Sequence, residues 1–353
     1  MAIDVKTMEM LRKEPEIDLD LGWIEMAKSW GWKATPGKRG LTLDDISEGE
    51  LGVIPETTRN YTGRPRGVVP RPGAPRVGTP YSDRADTWAD SLMLLYEEAL
   101  ARQWSSATDI PWETLEPLPD DLELAMCQLS TFLTEVEFVA GDIPGRWLPS
   151  ISPEFFEVQL FLGTQIMDEG RHLDVFRKRA LANGGGLMEG LGFAAVGSVG
   201  SSDFAEASTF LHIIGEGFVQ SMFRMGEYIS QNEAEKRIFR RSAEDESRHV
   251  AFGVMHLKHL IATQPERREE IHHYLDKGES GLLNSQAGVT FNASTMESLA
   301  ILLGGGVDKF DEGVKLLISI RQRQVKEYVH RLQVCGFADR LERMHPSIAA
   351  FVN

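Results

Sequence analysis

The chain has 353 residues, 42% of them hydrophobic, enough for one large domain with extensions or for two smaller ones. Its formal net charge of -16, with no basic run, makes nucleic acid and anionic membrane surfaces poor partners; it suits solubility or docking to a basic protein. The two cysteines, Cys127 and Cys335, lie far apart and in no motif, which excludes a cysteine-based zinc or iron–sulfur site within one chain and points to a reducing compartment.

The first twenty or so residues are charged throughout and lack the apolar stretch of a signal peptide, and no apolar run reaches membrane-spanning length. A cytoplasmic location without membrane attachment is the expectation. Residues 55–80 are dense in Pro, Gly and Arg, a composition that holds no helix and removes strand donors. This stretch is expected to be an extended arm on the body or on a neighbouring subunit, and a homodimer is the expected assembly.

From residue 90 the pattern becomes helical. Helices are predicted over 90–106 and 119–140. A third starts with Ser152 as N-cap and Pro153 in the first turn, and runs to 182, where Asn183 and three glycines stop it. A fourth covers 203–230 and a fifth 233–262. Further helices follow from 266, one of them broken by the glycines at 304–306. No segment shows strand alternation. The predicted class is therefore all-α, a bundle of long helices with short loops. The expected organisation is an arm over 1–88, a helical core over 89–265 and C-terminal helices over 266–353.

Two of these helices carry nearly the same string: Asp168-Glu169-Gly170-Arg171-His172 and Asp245-Glu246-Ser247-Arg248-His249. In each, Glu and His stand three residues apart and share a helix face, so one carboxylate and one imidazole reach the same point. One such pair is common on exposed helices; its duplication with the same flanking Asp and Arg is not. A two-metal carboxylate bundle needs one more Glu from each of two other helices. Glu216 qualifies, because it interrupts an otherwise apolar segment where an unpaired charge is costly. In the second helix Leu122, Met126, Leu129, Leu133, Val136 and Ala140 mark the apolar face. At about 100° per residue Glu137 falls at the edge of that face and Glu135 points away, so Glu137 is chosen.

The result is a pseudo-repeat: Glu137 precedes Glu169 by 32 residues and Glu216 precedes Glu246 by 30. Four carboxylates and two imidazoles with open positions suit iron or manganese rather than structural zinc. The six predicted metal ligands are Glu137, Glu169, His172, Glu216, Glu246 and His249. Asp168 and Asp245 are expected to accept N–H bonds from the histidines across the site, offset by Arg171 and Arg248. His212 is open between an extra ligand and a buried, hydrogen-bonded histidine. His256, His259, His272, His273, His330 and His345 are expected on the surface or at caps. Phe132, Phe138, Phe218 and Met222 are positioned to line an apolar pocket, with Gln220 as the polar residue facing it in a catalytic role.

At these residues the chain resembles the ferritin-like di-iron carboxylate superfamily. It is nearest to the α subunits of bacterial multicomponent monooxygenases, with ribonucleotide reductase small subunits and related oxidases next. The resemblance rests on Glu137-Phe138-Val139-Ala140, Asp168 to His172, Gly215-Glu216-Gly217-Phe218, Asp245 to Gly253, and the helix end at Trp104 followed by Asp109-Ile110-Pro111-Trp112; it spans about residues 90–265. It implies a ferritin-like four-helix bundle, two iron ions (or a manganese/iron pair) and activation of O2 to hydroxylate, desaturate or N-oxygenate an organic substrate. The chain departs from its relatives at two positions. Phe176 stands where reductase small subunits carry a radical-forming tyrosine, and Gln220 where the hydroxylases carry a threonine. A radical-generating subunit and an iron-storing or peroxide-scavenging ferritin relative are the alternatives. With no Gly-rich dinucleotide fingerprint and no cysteine cluster, electrons are expected from a separate reductase or ferredoxin.

Overall fold

Helix starts follow local chemistry. Asn232 accepts a hydrogen bond from Glu235 N at 2.9 Å and Asp203 one from Glu206 N at 2.8 Å, each satisfying an otherwise orphaned first-turn donor. Ser152 caps a short 3-10 turn, accepting from Glu154 N at 3.1 Å, and that turn leads into the long helix that follows. The fold is that of a computed structural model, in which residues 8, 21–26, 29–58, 61–78, 80–190, 201, 203–286 and 293–352 are described.

The main elements are α1 (Leu92–Ala101), α2 (Asp120–Trp147), α3 (Phe156–Ala182), α4 (Phe204–Ser208), a π-helix (Thr209–Gly215), α5 (Glu216–Ile229), α6 (Glu233–Thr263), α7 (Arg268–Gln286), α8 (Ala293–Gly304) and α9 (Phe310–Val334), with two single-turn helices before α1 (Leu43–Ile46 and Arg84–Thr87) and two after α9. Among the described residues there is no strand, only an isolated bridge between Gly37 and Gly40. The chain is all-α. The π-helix is a departure from the uninterrupted helix expected over 203–230: Glu216 N–H donates to the Leu211 carbonyl, five residues back. The first predicted helix is shorter than expected, because the chain leaves it after Ala101 and turns Trp104 inward, 6% exposed.

The core bundle consists of α2 paired with α3, and α5 with α6, with α4 and the π-helix continuing the line of α5. The apolar face read from α2 is the one that packs. Met126, Leu129, Phe132 and Leu133 meet Val175 and Phe176 of α3, Phe223 of α5 and Phe239 of α6, and α8 closes the same cluster with Leu299 and Leu302. Removing such side chains from water supplies the main driving force, about 25 cal/mol per Å² of apolar area. Phe218 and Ile214 pack instead with Tyr328 and Leu332 of α9. The Pro/Gly-rich stretch is largely irregular, and part of it lies on the bundle. Arg66 bonds both oxygens of Glu157, a carboxylate with no exposed surface, and donates to the Glu154 carbonyl at 2.6 Å.

Candidate metal centre

The two repeated strings sit on α3 and α6, so each presents its Glu and His one turn apart on an inward face. α2 brings Glu137 and α5 brings Glu216. All six side chains are 2% exposed or less. They form two clusters, each with its donor atoms within 4.8 Å of one another: Glu137, Glu169, His172 and Glu246, and Glu169, Glu216, Glu246 and His249. Glu169 and Glu246 belong to both clusters. His172 Nδ1 lies 3.2 Å from Glu169 Oε2, 3.2 Å from Glu246 Oε1 and 3.4 Å from Glu137 Oε2. His249 Nδ1 lies 3.0 Å from Glu169 Oε1, 3.1 Å from Glu246 Oε2 and 3.8 Å from Glu216 Oε2.

The donor set fits a pair of divalent cations. Glu137 Oε1, both oxygens of Glu169 and Glu246 Oε1 are buried, and apart from the imidazole nitrogens that crowd Glu169 and Glu246 they have no hydrogen-bond partner. Unsatisfied carboxylate oxygens in a low-dielectric interior are expensive unless a cation meets them. Four carboxylates would balance two divalent ions, and the N/O set matches iron or manganese. The protein alone shows the strain. Burial, with the neighbouring glutamates, holds Glu137 and Glu216 well above the usual carboxylate range. Burial opposes ionisation of Glu169 too, but His249 and His172 outweigh it and hold its pKa below that range. Burial likewise disfavours charge on the two imidazoles. Asp245 and the glutamates around His172, and Glu169 and Glu246 beside His249, nevertheless hold both well above the usual histidine value.

Behind the clusters is a crossed frame. His172 Nε2 lies 3.2 Å from Asp245 Oδ2, and His249 Nε2 lies 3.3 Å from Asp168 Oδ2. A shared partner there fixes the ring so that Nδ1 faces the glutamates. Each arginine bridges both aspartates: Arg248 donates to Asp168 at 2.8 Å and to Asp245 at 2.6 Å, and Arg171 donates to Asp245 at 3.1 Å and to Asp168. Trp104 Nε1–H donates to Asp245 Oδ2 at 2.7 Å, and the Arg171 guanidinium lies 5.3 Å from the Trp104 ring centre.

A second line of buried polar groups leaves from Glu216. Gln165, one turn before Glu169, donates to Glu216 Oε1 at 3.1 Å, and its other end meets His212 Nε2 at 3.0 Å. His212 Nδ1 and His256 Nδ1 both lie 2.9 Å from Ser208 Oγ, and His256 Nε2 lies 2.9 Å from the Asp86 carbonyl. The line runs between two acceptors. Its five bonds need five protons, while Gln165, Ser208 and two neutral histidines supply four. With Glu216 ionised the fifth sits on a histidine; with Glu216 protonated, the Gln165 amide turns end for end and both histidines stay neutral. Burial lowers the pKa of both histidines and raises that of Glu216. His212 is reached so closely only because residue 253 is glycine: a Cβ there would lie 2.3 Å from His212 Cβ.

The structure brings together all six predicted carboxylates and imidazoles, with Asp168 and Asp245 behind them. His212 lies in neither cluster and is a buried, hydrogen-bonded histidine. Two other histidines correct the sequence reading: His256 and His272 are fully buried. His256 spans Ser208 and Asp86, and His272 meets Arg340, contacts that no local pattern reveals. His345 does cap a turn, accepting from Ser347 N at 3.2 Å. Gln220 is a second correction. It donates to Ser247 Oγ at 2.8 Å and lines an outer groove with Arg224. Phe138 is 59% exposed, one position round the helix from Glu137.

Phe132, Phe218 and Met222 line a largely apolar cavity of about 760 Å³, and Glu137 and Glu216 stand in its wall. Sequence reasoning missed Gln165; its one signal was a polar residue a turn before Glu169 on the inward face of α3. In the sequence Trp104 reads only as part of a helix end.

An all-α four-helix bundle with two buried acidic/histidine clusters is consistent with the ferritin-like di-iron superfamily. Set against protein-family models, curated proteins and solved structures, the chain matches none of them, so no subfamily is assigned. Among the described residues, no helix is long and apolar enough to cross a membrane.

Proposed function

We propose that the chain is an O2-dependent di-iron oxidoreductase that oxidises a small or medium organic substrate. Glu137, Glu169, His172, Glu216, Glu246 and His249 would hold the two metal ions, iron or a manganese/iron pair. The observation that carries the reading is the apolar cavity, because two of the six candidate ligands, Glu137 and Glu216, form part of its wall. A substrate in that cavity lies next to the metals and is sheltered from water.

Bound iron would supply the redox chemistry that activates O2. The chain's own groups do the rest. Phe132, Phe218 and Met222 exclude water, the two aspartates orient the imidazoles, and Gln165 holds a hydrogen bond to Glu216. Electrons come from a separate reductase or ferredoxin. Phe176, stacked on Phe223 with ring centres 5.3 Å apart, offers no phenol beside His172 in which a radical could be stored. The test is anaerobic loading with ferrous iron, chemical reduction, and rapid mixing with O2 in the presence of candidate apolar substrates. Oxidised product in step with O2 consumption supports the reading. A long-lived tyrosyl radical, or an iron core growing without substrate oxidation, overturns it.

A further inference from the structure

Despite its net charge of -16, the protein has a groove between α5, α6 and α9 with four cationic side chains, Arg224, Arg323, Lys326 and Arg331, against the single carboxylate of Glu327. His330 stands beside them. Glu327 is already taken by the rim, accepting from Arg224 at 2.7 Å and from Arg323 at 2.9 Å.

Arg331 differs from the rim. It is 9% exposed, and among the described residues no carboxylate pairs with it. Its Nε is buried with no hydrogen-bond partner, and its Nη2 makes one long donation, 3.4 Å, to the Ile213 carbonyl. Burial pulls its pKa down to about 10. The guanidinium rests directly on the backbone of α5, since a Cβ at Gly217 would come within 2.2 Å of it. The Tyr328 ring, 5.9 Å from the guanidinium carbon, and the more distant Glu327 offset this charge only in part, so an anion entering the groove would stabilise it further. The guanidinium fork is shaped for the oxygens of a phosphate or carboxylate. A rim of three exposed cations favours the more highly charged of the two.

We propose that this groove is a binding site for a small phosphate-bearing anion, with Arg331 as its buried anchor and Arg323 and Lys326 as its rim. The site does not depend on the reading of the carboxylate clusters, and it can be tested on metal-free protein.

The experiment is calorimetric titration of the full chain with inorganic phosphate at low ionic strength and neutral pH. Saturable binding to one site per chain is expected. Arg331→Gln should weaken it about tenfold or more, through the loss of its charge-assisted bonds. Where Arg331→Gln does not fold, the exposed double variant Arg323→Gln/Lys326→Gln carries the test and should also lose most of the binding. Arg343→Gln, remote and paired with Glu269, should change nothing. Absence of saturable binding overturns the proposal, as does binding that survives the rim double variant. Citrate or chloride binding as tightly as phosphate does so too, reducing the groove to a non-selective positive surface.

Discussion

Asp245 Oδ2 lies 3.2 Å from the Nε2 of His172, although the two residues belong to different copies of the repeated string. Asp168 and His249 make the reciprocal contact at 3.3 Å. Each half of the repeat therefore orients the imidazole of the other. Asp245→Asn or Asp168→Asn keeps the shape but loses the charge facing the ring. Each should weaken metal binding by about 10- to 100-fold without removing a ligand. Competition against a chelator of known affinity measures this; variants with wild-type affinity would remove the aspartates from the site. Trp104→Phe should have a smaller effect in the same direction, because it deletes one 2.7 Å donor to Asp245.

Glu169 and Glu246 belong to both clusters, Glu137 and Glu216 to one each. Glu169→Ala should therefore abolish binding of two ions, while Glu137→Ala should leave one. Metal analysis after gel filtration, with circular dichroism to confirm the fold, separates the two outcomes. Equal stoichiometry in both variants would contradict the sharing.

Loading the site should release protons. Glu137, Glu216, His172 and His249 all have raised pKa values in the protein alone, and each must lose its proton to act as a ligand. Rising pH strips those protons, so affinity for Mn(II) should increase with pH, with up to about four protons released per pair of ions. Calorimetry in two buffers of different ionisation enthalpy counts them. Heats independent of the buffer would show that the groups are already deprotonated.

His256 should make stability fall in mild acid. Burial lowers its pKa to about 4 from an ordinary 6.5, against the opposing hydrogen bond to the Asp86 carbonyl. His212, His259 and Arg267 are titratable or charged groups that act on it, and Asp86 meets it through its backbone carbonyl. Above pH 6.5 neither the folded nor the unfolded state carries this proton, and the contribution is flat. Between 6.5 and 4 the unfolded chain binds the proton and the folded one does not, so stability drops, by about 3 kcal/mol in total. Urea midpoints measured across that range should slope for the wild type and slope less for His256→Gln. Identical slopes would show that His256 is protonated in the fold.

The helices and the six converging side chains were legible because they are local or periodic facts. The Glu and His of each string share a turn by spacing alone, and Glu137 was separated from Glu135 by its angle on α2. Partners contributed by distant segments were not legible. Ser208 and His212 are one turn apart, but Gln165 and His256 share no spacing with them, and only the packing of α3, α4, the π-helix and α6 brings the four into line. Gln220 bonds Ser247 on the neighbouring helix, a contact that its spacing from Glu216 does not reveal.

The π-helix at Thr209–Gly215 holds one residue more than an α-helical register would allow between His212's neighbourhood and α5. A one-residue deletion there would restore regular i to i-4 bonding with the flanking helices in nearly the same phase, yet it would re-space the residues inside the bulge, His212 among them. His212 would swing away from Gln165 and off its seat on Gly253. In this stretch of the chain, a change that perfects the backbone dismantles what the backbone was carrying. An alignment that closes the gap there by helical phase would pair the wrong residues on one side of it.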